Sequence, residues 1–293
     1  MMTIEEMYEF DLNGYIVYPN VLLPEEIEKI NTIIDQAGVG GKRKFSFFHL
    51  DSYFLELMAH PKTLAILQIM LGEWLRFDHA FGMEMSNTTR IPEDLHAGPL
   101  REQLAFFYQW SNNQMRNGLV KVIYALNDVN PGDGGFICVP GSHKGNVKYM
   151  PRPNSPLVVN PTLKAGDMLI FTEALVHGSR PWKAENRRRV LIYSYAPGCL
   201  AWMNYDWCEP YRSLTNNDVQ KQLLRPPHVG YSDKEFDLSK GHFPPAPSRL
   251  AVNFPSDDYV YTRKLRSVYK KTRHSARQLL TGLQEIGKLL FFG

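Results

Sequence analysis

Cysteine is scarce in this chain. Only Cys138, Cys199 and Cys208 occur among 293 residues, with no Cys-x-x-Cys pair and no Cys/His finger spacing. So sparse and odd a set excludes a disulfide framework and suits reduced thiols in a cytoplasmic setting. Long apolar runs are missing too. The longest are a handful of residues, as at 289–292, far short of a bilayer span. Internal repeats and low-complexity tracts are absent. The first twenty residues carry Glu5, Glu6, Glu9 and Asp11, which argues against a secretory or transit leader. A net positive charge is missing from most of the chain. Residues 259–293 hold eight Lys/Arg against one acid, a balance of +7, and the whole chain is only +3. The preceding 258 residues therefore carry −4, without the basic stripe of a nucleic-acid module, so no nucleic-acid partner is expected.

What is present is the make-up of a globular protein, 44% apolar and 22% charged, which excludes disordered, collagenous and coiled-coil classes. Thr3-x-x-Glu6 reads as a capping box opening a helix to about Phe10. Pro24-Glu25-Glu26 starts a second helix, with Ile27, Ile30, Ile33 and Ile34 on one face. A third covers 62–71 and stops at Gly72. Residues 14–18 are β-branched and aromatic, hence a strand. From residue 75 the pattern predicts short strands at 75–85, 105–110, 119–126, 135–140, 157–159, 167–172 and 188–196. About eight strands is the count of a jelly roll.

The expected fold is thus mainly β: a double-stranded β-helix (jelly roll, cupin-like) with flanking N-terminal helices. Residues 1–209 form that domain, 210–258 an irregular cover segment, and 259–293 a basic amphipathic C-terminal helix. The last carries an apolar stripe of Leu279, Leu280, Leu283, Ile286 and Leu290. Such a helix is expected to pack on its own domain or on a twin subunit, forming a homo-oligomer, rather than to lie on a membrane.

Three pieces carry chemistry, in order: Leu95-His96-Ala97-Gly98, Pro140-Gly-Ser-His-Lys144, and Val176-His177-Gly178-Ser179 with Arg188 eleven residues past His177. A non-haem Fe(II) oxygenase needs two imidazoles, usually with a carboxylate, and three open positions. If it uses 2-oxoglutarate, a buried cation must receive the far carboxylate, and bidentate arginine suits that task. His96 on an early strand edge, His177 at the end of a late strand and an arginine on the next meet those needs. Arg187 and Arg189 face the opposite side of a strand from Arg188, so Arg188 is expected inward. His143 reads as structural. His79 in the alternating Phe77-Asp-His-Ala-Phe81 could point into the barrel.

Over roughly residues 8–200 the chain resembles the phytanoyl-CoA dioxygenase-like family of Fe(II)/2-oxoglutarate oxygenases. The likeness rests on Phe10-x-x-x-Gly14-Tyr-Ile-Val, Ala125-Leu-Asn-Asp128, Asp133-Gly-Gly-Phe, the Pro140-Gly-Ser-His-Lys loop and the His177-Gly-Ser…Arg188 pair. The resemblance implies that His96 and His177 are iron ligands, and that Arg188 and Ser179 bind 2-oxoglutarate. His96, His177 and Arg188 are then the catalytic set. The implied reaction hydroxylates a small organic substrate with O2, releasing succinate and CO2.

One departure stands out. The family carries His-x-Asp where this chain has His96-Ala97-Gly98, and glycine cannot ligate. Fe(II)/2-oxoglutarate halogenases carry Gly or Ala at that place, so chloride or water at the Gly98 position is an alternative. Asp94 or Glu102 as third ligand is another, and a catalytically silent jelly-roll binding module is the last. Arg101, Gln103 and Lys121 are expected to line a substrate site, and Tyr108 and Trp110 either to line that cavity or to pack in the core.

Overall fold

A computed structural model describes residues 2–91, 93–98, 106–111, 114–147 and 149–229. The expected basic helix at 259–293, most of the cover segment, and Arg101, Glu102 and Gln103 lie outside the described residues. Helix α1 (Ile4–Asn13) starts on the full Thr3/Glu6 capping box and ends at Gly14, whose φ of 77° is left-handed. Strand β1 (Tyr15–Tyr18) follows, then α2 (Pro24–Gln36), β2 (Lys44–Phe45), α3 (Tyr53–Met58) and α4 (Pro61–Leu71). The remaining strands are β3 (Arg76–Met85), β4 (Asp94–His96), β5 (Tyr108–Ser111), β6 (Gln114–Asn117), β7 (Val120–Ala125), β8 (Gly135–Cys138), β9 (Met168–Thr172), β10 (His177–Arg180) and β11 (Arg188–Ala196). Helix α5 (Asp218–Leu223) closes the described part.

Six strands form one sheet in the order β1-β9-β7-β11-β3-β2, three form a second as β4-β10-β8, and β5 and β6 make a hairpin. Their antiparallel pairing gives the jelly roll. The large sheet is apolar on both faces. Helices cover the outer one, packing Phe10, Ile30, Phe54 and Leu67 over residues such as Tyr193 of β11. The inner one packs Ile123, Leu169, Phe171, Val190 and Ile192 against Phe136 and Cys138 of the small sheet. Strands β7, β9 and β11 are buried along their whole length for this reason.

Several sequence expectations are corrected. Residues 157–159 form no strand; only Val159 bridges, to Cys138. The single strand expected at 105–110 is instead the first arm of the β5–β6 hairpin, paired Tyr108 to Asn117. His177 opens β10 rather than ending a strand, because the turn after Thr172 reverses the chain first. Residues 209–223 carry a 3-10 turn and α5, which bury Gln220, Leu223 and Leu224, where an irregular cover was expected. No helix among the described residues is long and apolar enough to cross a membrane.

Candidate active site

Strand pairing builds the site. Antiparallel register sets His177 of β10 directly opposite His96 of β4, and their ring centroids stand 4.3 Å apart. That closeness depends on Gly178, where an added Cβ would fall 1.8 Å from the Asp94 carbonyl oxygen. His177 is buried, and its Nδ1–H donates to the Leu175 carbonyl at 2.8 Å, leaving the Nε2 lone pair to face the site. Burial also depresses its pKa against the pull of Glu173, so the imidazole stays neutral, the form that binds metals. His96 lies on the exposed side of β4.

The Pro140-Gly-Ser-His-Lys loop holds this arrangement from behind. Ser142 Oγ accepts from the Val176 N–H at 2.8 Å, next to His177. His143 Nε2 donates to the Asp11 carbonyl at 3.1 Å, and Lys144 pairs with the Asp11 carboxylate at 3.0 Å. His143 therefore locks the loop to α1.

At the other end of the inner face lies Arg188, 2% exposed. Its Nη1 approaches the sulfurs of Met85 and Met83 at 3.5 and 3.9 Å, and its Nε has no hydrogen-bond partner. No carboxylate among the described residues pairs with it, and burial lowers its pKa to about 10. Gly135 makes room: a Cβ there would sit 2.6 Å from Arg188 Nε. The neighbours leave on the opposite face. Arg189 bonds Glu84, Asn31 and Asp35, pinning α2 to the sheet, and Arg187 bonds Glu84 near solvent. A buried guanidinium without an acid is costly, and an anionic ligand would satisfy it. The donor set thus fits 2-oxoglutarate at Arg188 and a divalent cation at the two imidazoles. Ser179, half-buried, is on the same face of β10 as His177.

Gly98 adopts φ 99° and follows Ala97 at φ 65°, so two successive left-handed residues turn the chain away after His96. A Cβ at Gly98 would lie 3.0 Å from Val176 Cγ2. Asp94 shares the His96 face but is exposed, opposite Ser179.

A polar group that the sequence reading passed over sits beside the histidines. Glu173, in the turn after β9, places Oε2 3.6 Å from His177 Nε2 and Oε1 3.4 Å from Lys121 Nζ. Burial disfavours its charged form, yet Lys121, His177 and His96 together hold its pKa below the usual range. Lys121 also donates to Ser194 Oγ at 2.8 Å and to His79 Nε2 at 3.1 Å, and His79 Nδ1–H donates to Asp78 at 2.7 Å. Lys121, expected to line a substrate site, is buried in this ionic chain beside Glu173 and His177. His79 does point into the barrel. The signal for Glu173 in the sequence is a lone acid in the mostly apolar stretch from Leu169 to His177, far from His96 along the chain.

The aromatic pair lies elsewhere. Tyr108 donates to Asp11 at 2.5 Å and packs on His143, and Trp110 is 47% exposed. Neither is brought to the imidazoles. No group of three His, Cys, Asp or Glu side chains among the described residues is placed to hold a metal ion.

The family model described as phytanoyl-CoA dioxygenase matches residues 10–190. A curated relative, dioxygenase af480 of Aspergillus fumigatus, is 24% identical over 193 residues, 64% of this chain. The chain spans 60% of that relative's length. Among solved structures, HygX from Streptomyces hygroscopicus with nickel and 2-oxoglutarate bound aligns with a TM-score of 0.61 at 24% identity, over 67% of this chain and 88% of HygX. The non-heme alpha ketoglutarate dependent carbocyclase SnoK from nogalamycin biosynthesis aligns at 0.51 and 17% identity, over 67% and 84%. At these identities the structural likenesses speak for the fold.

Proposed function

Because the chain belongs to the phytanoyl-CoA dioxygenase family, we propose that it is an Fe(II)- and 2-oxoglutarate-dependent oxygenase that hydroxylates a small organic substrate with O2. The observation that carries this reading is Arg188, a buried cation with no acidic partner among the described residues, on the inner face of the large sheet, with the cross-strand histidine pair on the small sheet opposite. In this proposal His96 and His177 hold the iron, and Arg188 and Ser179 hold the far carboxylate of the co-substrate. Bound iron and 2-oxoglutarate supply oxygen activation, with succinate and CO2 as co-products. The protein's part is orientation. The Leu175 carbonyl presents His177 Nε2, and the apolar wall of Phe136 and Phe171 against the His177 ring excludes water. Substrate approaches from the exposed His96 edge of β4. The free cysteines support a reducing, cytoplasmic setting.

Halogenation is the second reading, favoured by one observation: the residue two past His96 is Gly98 and offers no carboxylate. Anaerobic addition of Fe(II) and 2-oxoglutarate should produce the visible charge-transfer band of the chelated co-substrate. Oxygen should then yield succinate. Absence of both the band and succinate, with His177→Ala leaving metal content unchanged, overturns the proposal. Chloride-dependent products would move it to the halogenase.

A further inference from the structure

We propose that the cavity floored by Arg76 and Asp78 is the substrate site, and that it takes an uncharged ring whose carbonyl or hydroxyl oxygen accepts from Arg76. This rests on the oxygenase reading and gives it a substrate class. The cavity measures about 260 Å³ and opens between β3 and the chain that follows β11, with Met203, Tyr205, Asp206 and Pro227 on its walls. About 150 Å³ is enough to hold benzene, so the space suits one ring with a few substituents.

Arg76 is the polar anchor. It is 3% exposed. Its Nε donates to the Arg225 carbonyl at 3.2 Å, and its Nη1 to Asp78 Oδ2 at 2.8 Å and the Leu200 carbonyl at 3.3 Å. Its Nη2 meets only the Cys208 sulfur at 3.8 Å, a weak acceptor. A buried donor on the cavity floor is thus left for an oxygen that the described residues do not supply, and unmet buried donors are costly.

Charge separates this site from the one at Arg188. Arg188 has no acid among the described residues and suits a carboxylate. Arg76 is already paired with Asp78, and Asp206 with Arg212 at 2.7 Å. Asp78 is held on both oxygens, by His79 at 2.7 Å on one and by Arg76 and the Trp202 N–H on the other. A charged ligand would enter without a counter-ion, whereas a neutral oxygen needs none.

Aromatic neighbours favour a ring. Tyr205 stands exposed on the wall, and Trp202, 39% exposed, is fixed beside the cavity by its 2.9 Å bond to Asp78. Partly exposed aromatic faces at a cavity are platforms for stacking. Trp202 in turn stacks on Phe106, centroids 5.0 Å apart, and Phe106 shares a cluster with Ala97, the residue after His96. One aromatic stack therefore ties the cavity to the histidine strand.

Benzamide is the probe, a single ring with a neutral carbonyl, beside benzoate and benzamidine, its anionic and cationic counterparts. Each is titrated into the full chain carrying nitrogen-labelled tryptophan. Binding is read at the Trp202 indole resonance, assigned by its loss in Trp202→Phe. Benzamide should shift that resonance saturably, and the two charged rings should bind at least about tenfold more weakly. Arg76→Lys keeps the charge opposite Asp78 but removes Nη2. It should weaken benzamide by about 2- to 13-fold, the worth of one neutral hydrogen bond. Equal binding of benzoate or benzamidine overturns the uncharged class. Unchanged benzamide affinity in Arg76→Lys overturns the anchor. The three-ring comparison uses the wild type alone, so it decides the proposal even if Arg76→Lys does not fold. The oxygenase reading is tested apart, by the charge-transfer band of Fe(II) and 2-oxoglutarate. If the band forms and none of the rings moves the Trp202 signal, this inference alone falls. If benzamide binds but neither band nor succinate appears, the oxygenase reading falls, and with it the cavity's role as a substrate site.

Discussion

Arg188 shows how much one residue's surroundings say about its task. Strand alternation puts it on the inner face and sends Arg187 and Arg189 to the outer one, where both meet Glu84. Replacing an unpaired buried charge by an apolar side chain of similar length is neutral or stabilising. Arg188→Met should therefore leave the melting temperature of the ligand-free protein unchanged or raised. It should weaken 2-oxoglutarate by about 10- to 160-fold, the equivalent of a charged hydrogen bond of about 1.5–3 kcal/mol. Calorimetric titration beside a thermal melt checks both halves. Arg189→Ala should do the reverse, removing the tie from Glu84 to Asn31 and Asp35 of α2 and lowering stability with little change in co-substrate affinity. Gly98 is a second case. At φ 99° with Val176 Cγ2 in the way, Gly98→Asp should cost about 1–3 kcal/mol of stability. It should not improve affinity for cobalt(II) as a metal probe, a point the same titration reads. Restoring the family's His-x-Asp spelling does not by itself restore its geometry.

At the scale of elements, the β4–β10 pairing and the Pro140-Gly-Ser-His-Lys loop decide the site. Gly178→Ala would drive a methyl group into the Asp94 carbonyl, 1.8 Å from the new Cβ, so the two strands must part. Overpacking of this kind costs about 1–3 kcal/mol or more. Metal affinity should collapse although both histidines remain, which cobalt titration would reveal. The loop carries a pH dependence. Burial lowers the pKa of His143 to about 4 from its ordinary 6.5. Between those values the unfolded chain binds a proton that the folded one refuses. Stability is then complete above pH 6.5 and drains as pH falls towards 4, by about 3 kcal/mol in all. Urea midpoints across that window should fall with acid in the wild type and fall less steeply in His143→Gln, because other buried histidines, His177 and His79 among them, still refuse the proton.

Across the whole molecule, one large sheet serves two cores. Its outer face belongs to the helices and its inner face to the site. The inner face also holds Lys121, His79 and Arg188, with Glu173 beside it in the turn after β9, buried polar groups that an all-apolar jelly roll would not need. Ligands that bind only the folded state should therefore stabilise it visibly. At a hundred times the dissociation constant the gain is about 2.7 kcal/mol, or about 5–11 °C in melting temperature for a protein of this size. Cobalt and 2-oxoglutarate should each shift the wild-type melt. Arg188→Met should keep the first shift and lose the second.

The amino-acid order by itself determined what short-range physics controls. The Thr3/Glu6 box, the proline start of α2, the Gly72 stop of α4 and the bounds of β11 all follow from contacts within a few residues. Strand alternation, another local rule, separated Arg188 from its neighbours. Small-sheet elements were less legible: β4 and β10 are three and four residues long, too short for a periodic signal, and owe their existence to pairing with each other. Only the tertiary structure decided which acid meets the histidines, because Glu173 follows β9 in a turn that has no periodicity to read. It also decided that Lys121 and Tyr108 are engaged by internal acids, since an ion pair or hydrogen bond depends on partners distant in sequence. Proximity between Glu173, His177 and His96 is a property of folded register, and no local pattern along the chain encodes it.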